Sequence, residues 1–342
     1  MPLPFPRLPK LCQLDIIEKL DFPELVRLST CSQKTVELIQ QSTIPERIQL
    51  KSVKVENGDA ILLFRVGSDN ERRYWIGINQ QFMKDAQKQI EWNGLDGLQF
   101  SERFFEEENL SGWLCEVYSF TSLAKTDKFI SHLRSLIRNF TPKNLEVFPT
   151  PWMTKQLIKE YFPKTGKLVI NSEDGGKLAS EHMKWVMDTV EVTEHLEILG
   201  EIKITRNKFN YAEGFKAKKV TIRNPNWIHL NAIIDSQTEV FEFYFLPPSS
   251  QFFNTILKAW ITNEKLQNLK ELLLKTITPR FPEIFQNQVM EGIEQTELTP
   301  EEQQRFEEDE GNEFVRFIRR IDGKVGVAMV RQGQRLYKFL VL

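Results

Sequence analysis

Residues 5–42 read FPRLPKLCQLDIIEKLDFPELVRLSTCSQKTVELIQQS, and their periodicity is helical. Pro6 and Pro9 punctuate its start. Leu11, Leu14, Ile17 and Leu20 then recur every three residues, the spacing of one helical face. Asp21-Phe-Pro23-Glu24 is a helix-start signal, with a capping aspartate and a proline in the first turn, where a missing N–H breaks no helical bond. Leu25 and Leu28 extend the apolar stripe, and Ser32 can cap a third helix in which Val36 and Ile39 lie three apart. The pattern predicts three short helices over 5–42. So small a trio, apolar on several faces, would hardly bury its own surface and wants a partner.

From Arg47 the periodicity changes. Ile48 and Leu50, then Val53 and Val55, alternate with polar residues; Asn57-Gly58 is a hairpin signal, and Ala60–Val66 and Arg72–Ile78 read as further strands. Within residues 79–112, Trp92-Asn-Gly94 and Asp96-Gly97 read as turns. Trp113–Tyr118 reads as a strand, and Phe129, Ile130, Leu133, Leu136, Ile137 and Phe140 mark an amphipathic helix. Short apolar strands follow at Leu145–Phe148, Leu168–Ile170, Val190–Val192, Val220–Ile222, Val240–Phe245 and Leu269–Leu274, with helices expected around 152–161, 177–187, 227–235 and 250–262. Strands joined by crossover helices at intervals of about twenty to thirty residues favour a parallel sheet of degenerate leucine-rich-repeat type, without the strict consensus. Glu294–Glu313 is acidic and reads as a solvated helix or loop. Phe314–Ile321, Asp322-Gly323 and Val325–Val330 form a hairpin, and Leu336–Val341 a last strand. The fold class is therefore α/β: a three-helix start, a mixed and largely parallel domain, and a C-terminal β hairpin.

At 342 residues with 41% hydrophobic and 27% charged positions, the chain can bury a sizeable core and suggests about two domains, divided here as 1–46 and 47–342. A net charge of −2 leaves no basic footprint for nucleic acid or an anionic membrane. Three unpaired-looking cysteines, Cys12, Cys31 and Cys115, suit a reduced compartment, cytoplasmic or nuclear. No signal-peptide core or apolar run of membrane-spanning length is present, and four scattered histidines make no metal site. Phosphate loops, dinucleotide fingerprints and nucleophile elbows are all missing. Glu181-His182 and Glu194-His195 set a carboxylate beside a histidine, but neighbours on a helix or strand do not face each other, so both histidines read as surface residues. The seven tryptophans read mainly as core, with one or two as interface anchors. Neither cofactor nor catalytic chemistry is expected.

Phe5-Pro-Arg-Leu-Pro9, Ile16-Ile-Glu-Lys-Leu20, Phe22-Pro-Glu-Leu25 and Leu28-Ser-Thr-Cys31-Ser32 together resemble an F-box: a leucine–proline opening, an apolar first helix, then a leucine–serine–x–cysteine–serine run. The tryptophan found after the cysteine in many F-boxes is missing. The variant is most similar to nematode-type F-box proteins, in which a type-2 F-box-associated domain follows. Phe317-Ile-Arg-Arg-Ile-Asp322-Gly323 with Ala328 is similar to the end of that domain. The resemblance implies a non-enzymatic substrate-recognition subunit of a Skp–cullin–F-box type ubiquitin ligase, which would bind the Skp-family adaptor and, through it, the cullin–RING ligase. Leu8, Pro9, Leu14, Ile17, Leu20, Leu25 and Leu28 would be its adaptor-facing or motif-core residues. A target protein would be captured by the C-terminal domain, with Trp227 and Tyr244-Phe245 as candidate anchors. The alternative is a non-catalytic scaffold with no part in ubiquitination.

Overall fold

A computed structural model describes residues 5–56, 59–66, 72–78, 90–94, 98–107, 110–118, 123–148, 153–172, 177–203, 211–245, 250–276, 287–305, 314–331 and 336–342. The expected turns at Asn57-Gly58 and Asp96-Gly97, and the acidic run 307–310, lie outside the described residues. The chain forms two compact units, Met1–Thr165 and Gly166–Leu342.

The first unit opens with four helices, α1 (Lys10–Lys19), α2 (Phe22–Ser29), α3 (Gln33–Gln41) and the single turn α4 (Ile44–Arg47). Strands β1 (Ile48–Glu56), β2 (Asp59–Val66), β3 (Arg72–Ile78), β4 (Ile90–Gly94), β5 (Leu98–Glu107) and β6 (Leu110–Tyr118) follow, then α5 (Leu123–Leu136), β7 (Asn144–Val147) and α6 (Met153–Tyr161). Their sheet order is β7-β1-β2-β3-β6-β5-β4. Only β1/β7 and β3/β6 are parallel in it; β1/β2, β2/β3, β4/β5 and β5/β6 are antiparallel. The run of strands from Ile48 to Ile78, read as a hairpin meander, pairs antiparallel as expected, and β7, the first of the later strands expected to be parallel, pairs parallel with β1. Trp92-Asn-Gly94, read as a turn, lies instead in β4, paired with β5.

The switch of phase in β1 has a physical cause. Ile48 and Leu50 are buried, and so are Val53 and Val55, which two-residue alternation would put on opposite faces. The register with β2 shifts between Leu50 and Ser52, and a bulge there brings both pairs to one side. Against that side packs the helical start: the Phe22 ring lies 5.0 Å from Phe64 and 5.3 Å from Tyr74. The helices of 5–46 therefore share a core with the strands that follow them.

The second unit contains β8 (Lys164–Ile170, from Gly166 on), β9 (Lys177–Ala179), α7 (Ser180–Thr189), β10 (Glu191–Ile198), β11 (Glu201–Lys203), β12 (Lys219–Ile222), α8 (Leu230–Ile234), β13 (Val240–Phe245), α9 (Ser250–Ile261) and β14 (Glu271–Thr276). A short helix, Pro300–Arg305, precedes β15 (Phe314–Arg319), β16 (Val325–Arg331) and β17 (Leu336–Val341). Here β10/β12, β12/β13 and β13/β14 are parallel, as expected. β17, β16 and β15 then extend the sheet antiparallel, forming the expected terminal hairpin and last strand. Residues 177–179, expected as helix, pair with β11 as a strand, and the expected helix at 227–235 is a 3-10 turn followed by α8.

Strand order in this unit, β8-β10-β12-β13-β14, follows chain order without reversal. Right-handed crossovers in such an order fall on a single face. Leu196, Ile198, Val220, Ile222, Phe241, Phe243, Leu272 and Leu274 are correspondingly buried on one side. The other side carries His195, Glu197, Lys219, Glu242 and Glu271, most of them half-buried at most, with charges joined pairwise as Lys167–Glu197, Lys219–Glu242 and Lys338–Glu271. Among the described residues these five strands show no reversal of order, the topology at which a switch-point crevice forms.

Candidate functional site

The helical start is built from local signals. Asp21 accepts from the Glu24 N–H at 2.9 Å while Glu24 accepts from the Asp21 N–H at 3.0 Å, and Ser32 and Thr35 reciprocate in the same way at the head of α3. Two capping boxes thus fix where α2 and α3 begin, as Asp21 and Ser32 foretell. Gln13 Nε2 donates to the Phe5 carbonyl at 2.9 Å and ties the 3-10 turn Phe5–Arg7 to α1.

The helices differ in how much they bury. α2 buries Phe22, Pro23, Leu25, Val26 and Ser29, and α3 buries Thr35, Val36, Leu38 and Ile39. α1, although ten residues long, buries only Gln13 and Ile17. Of the residues singled out from sequence, Ile17 and Leu25 lie in the core at 0% and 2% exposure. Leu8, Leu14, Leu20 and Leu28 are half-buried, and Pro9 is exposed. Two further apolar side chains stand in solvent on α1: Leu11 at 81% and Ile16 at 37% exposure. Leu11 belonged to the apolar stripe read from sequence and Ile16 did not, because spacing cannot tell an inward from an outward stripe on a helix that is apolar on several sides. A groove of about 360 Å³ runs between the N-terminal turn, α1 and α3, lined by residues that include Pro6, Leu8, Gln13 and Leu38.

The trio is anchored from behind. Ser29 Oγ lies 2.8 Å from His132 Nε2 of α5, and Gln40 Nε2 donates to the Ser135 carbonyl at 2.8 Å. Arg138 pairs with Glu46 at the surface. Burial lowers the His132 pKa to about 4, so the ring is neutral in the folded protein at ordinary pH.

Elsewhere, the sequence neighbours Glu194 and His195 do not work together. His195 Nε2 bonds Thr221 Oγ1 at 2.9 Å, and Thr221 Oγ1 donates to Glu242 Oε2 at 3.0 Å, across three strands. Desolvation by burial lowers the His195 pKa, with Lys167 adding to the effect. Because the Thr221 hydroxyl gives its proton to Glu242, His195 Nε2 donates to that oxygen, and with Thr221 only 5% exposed the chain of bonds ties three neighbouring strands together. Trp227, a candidate anchor, is 3% exposed and packs edge-on to Tyr211, so it is core. Tyr244 is half-buried, and the Phe245 side chain lies outside the described residues. Among the described residues no group of three His, Cys, Asp or Glu is placed to hold a metal, and no helix is long and apolar enough to cross a membrane.

Residues 5–46 match the family model of the F-box domain. No curated protein and no solved structure matches the chain. An F-box domain is thus present at the N-terminus, in the helices just described. F-box domains bind Skp-family adaptors of cullin–RING ligases, and the proteins that carry them are generally non-enzymatic adaptors.

Proposed function

We propose that this protein is the substrate-recognition subunit of a Skp–cullin–F-box type ubiquitin ligase, with residues 1–46 docking on the adaptor and residues 47–342 capturing a target protein. The observation that carries the reading is the F-box match over 5–46 together with the solvent-facing leucine and isoleucine on its first helix. Of the original set, Leu8, Pro9, Leu14, Leu20 and Leu28 face the adaptor with Leu11 and Ile16, while Ile17 and Leu25 hold the bundle. The resemblance to nematode-type proteins makes the remainder a type-2 F-box-associated domain of degenerate leucine-rich-repeat character. Target capture then falls on the open sheet face or the strand-end loops, which a rigid scaffold positions. Such a receptor acts by proximity: it brings the target to a ubiquitin carrier held elsewhere in the ligase.

The test is binding of purified adaptor to the wild type, to Leu11→Arg, and to the double variant Pro9→Ala with Leu28→Ala. Burying a leucine against a partner is worth about 2 kcal/mol, so each variant should weaken binding by about thirtyfold. Deleting residues 1–46 is a poorer test, because it would strip Phe22 from Phe64 and Tyr74. Unchanged affinity in both variants would leave the F-box without a mechanical role here and favour the scaffold.

A further inference from the structure

Residues 211–218 lead into β12 as a loop, and with the end of α7 and the start of β10 they enclose a cavity of about 640 Å³, within the size range of small-molecule sites. Leu168, Leu196, Tyr211 and Phe215 line its inner side, each 7% exposed or less. Charges at its rim are matched. Lys184 Nζ lies 2.9 Å from Asp188 Oδ2 and 3.1 Å from Glu213 Oε1, and Lys216 shares the lining with both carboxylates. Two ammonium groups thus answer these two carboxylates, which gives no ground for a charged ligand.

The group that stands out is Tyr211. Its N–H donates to the Trp227 carbonyl at 3.1 Å, and its carbonyl accepts from the His229 N–H at 2.8 Å. The Phe215 ring packs on it with centroids 5.3 Å apart, Trp227 meets it edge-on at 6.3 Å, and Lys184 Nζ lies 5.6 Å from its centre. The ring is therefore fixed and more than nine-tenths buried, yet its hydroxyl has no hydrogen-bond partner among the described residues. Buried polar groups ordinarily have one. Burial, and then the Glu213 charge, push the phenol up to about 12, so it keeps its proton and stands as a donor.

We propose that this cavity binds a neutral small molecule with an apolar body and a carbonyl-type acceptor: the body lies over Leu168, Leu196 and Phe215, and the acceptor takes a hydrogen bond from the Tyr211 hydroxyl. A donor already held in place loses little freedom when the ligand arrives, so the hydroxyl can select for the acceptor. The cavity lies wholly within the second unit and goes beyond the ligase reading, which can fail without it.

The probes are benzophenone, which carries a carbonyl between two rings, and diphenylmethane, which has the same rings without it. Each is measured by equilibrium dialysis against the full chain. Benzophenone should bind saturably. Tyr211→Phe keeps the ring and removes the hydroxyl; it should weaken benzophenone about three- to tenfold, the loss of one neutral hydrogen bond, and leave diphenylmethane unchanged. Ultraviolet light joins the carbonyl carbon of bound benzophenone to a nearby C–H carbon, and mass spectrometry should find the label on peptides holding Leu168, Leu196 or Phe215. The inference is overturned if benzophenone shows no saturable binding, or if the label falls outside the cavity. It is equally overturned if Tyr211→Phe leaves the benzophenone affinity unchanged or weakens both probes alike.

Discussion

His132 gives the attachment of the F-box helices a defined pH dependence. Its imidazole is set among buried groups of α5 and meets Ser29 Oγ of α2 at 2.8 Å. Burial lowers its pKa from 6.5 to about 4. The folded state therefore takes up a proton less readily than the unfolded chain, and the unfolded state binds more protons between those two values. Stability from this group is full above pH 6.5 and falls as the pH drops towards 4. At about pH 5 the linkage amounts to about 2 kcal/mol, an upper estimate for a partly exposed ring. Urea unfolding of the wild type at about pH 7.5 and pH 5 should show that loss beyond what His132→Gln shows, because glutamine keeps a hydrogen-bonding group but cannot titrate. Carboxylates titrate in both proteins and cancel in the difference. An equal loss in the two proteins would mean that His132 is not desolvated as described, and that the contact between α2 and α5 is not pH-sensitive.

Ile17→Ala should lower stability by about 2–5 kcal/mol in the same unfolding assay, while Leu11→Ala, three-quarters or more in solvent, should change it by less than about 0.5 kcal/mol. Gly326→Ala should destabilise the second unit by about 1–3 kcal/mol, because a β-carbon there would drive into the Phe339 ring and touch Trp260; the same assay with a larger side chain should show a steeper loss. Arg319→Ala should raise amide exchange in the helix Pro300–Arg305, which Glu302 ties to β15 through a fork-like pair at 2.9 and 3.0 Å. That Arg319 contact, with the Thr299 N–H, holds the Glu302 carboxyl at about 2, so its contribution is present above pH 4.5 and lost only as the pH falls through about 2.

What could be read in the sequence was what short-range chemistry dictates. The capping residues Asp21 and Ser32, the strand alternation from Ile48, the amphipathic run in α5 and the turn at Asp322-Gly323 each depend on neighbours a few positions away. Gly323 takes φ of 92° in that turn, which favours glycine there. Long-range packing could not be read. Phe22 has the spacing of any helix residue, and only the folded sheet shows that it seats on Phe64 and Tyr74. Trp227 follows a polar Asn-Pro-Asn turn and looks like a solvent-side aromatic, but the loop folds back so that it packs on Tyr211.

The same contrast separates the F-box from the cavity of the second unit. The F-box was legible because its motif is continuous in sequence, so about forty positions, residues 5–46, hold all of it. The cavity in the second unit draws Leu168 from one strand, Asp188 from the end of a helix, Leu196 from the next strand and Glu213 from a later loop. No spacing rule links such positions, since each segment independently satisfies its own local pattern. What brings them together is the monotonic strand order, which stacks successive crossovers on one face and leaves their loops side by side at the end where β10 and β12 begin. In a sheet of this topology loops far apart in sequence meet through the order of strands, so residues such as Asp188 and Glu213 become neighbours only once β10 and β12 are paired.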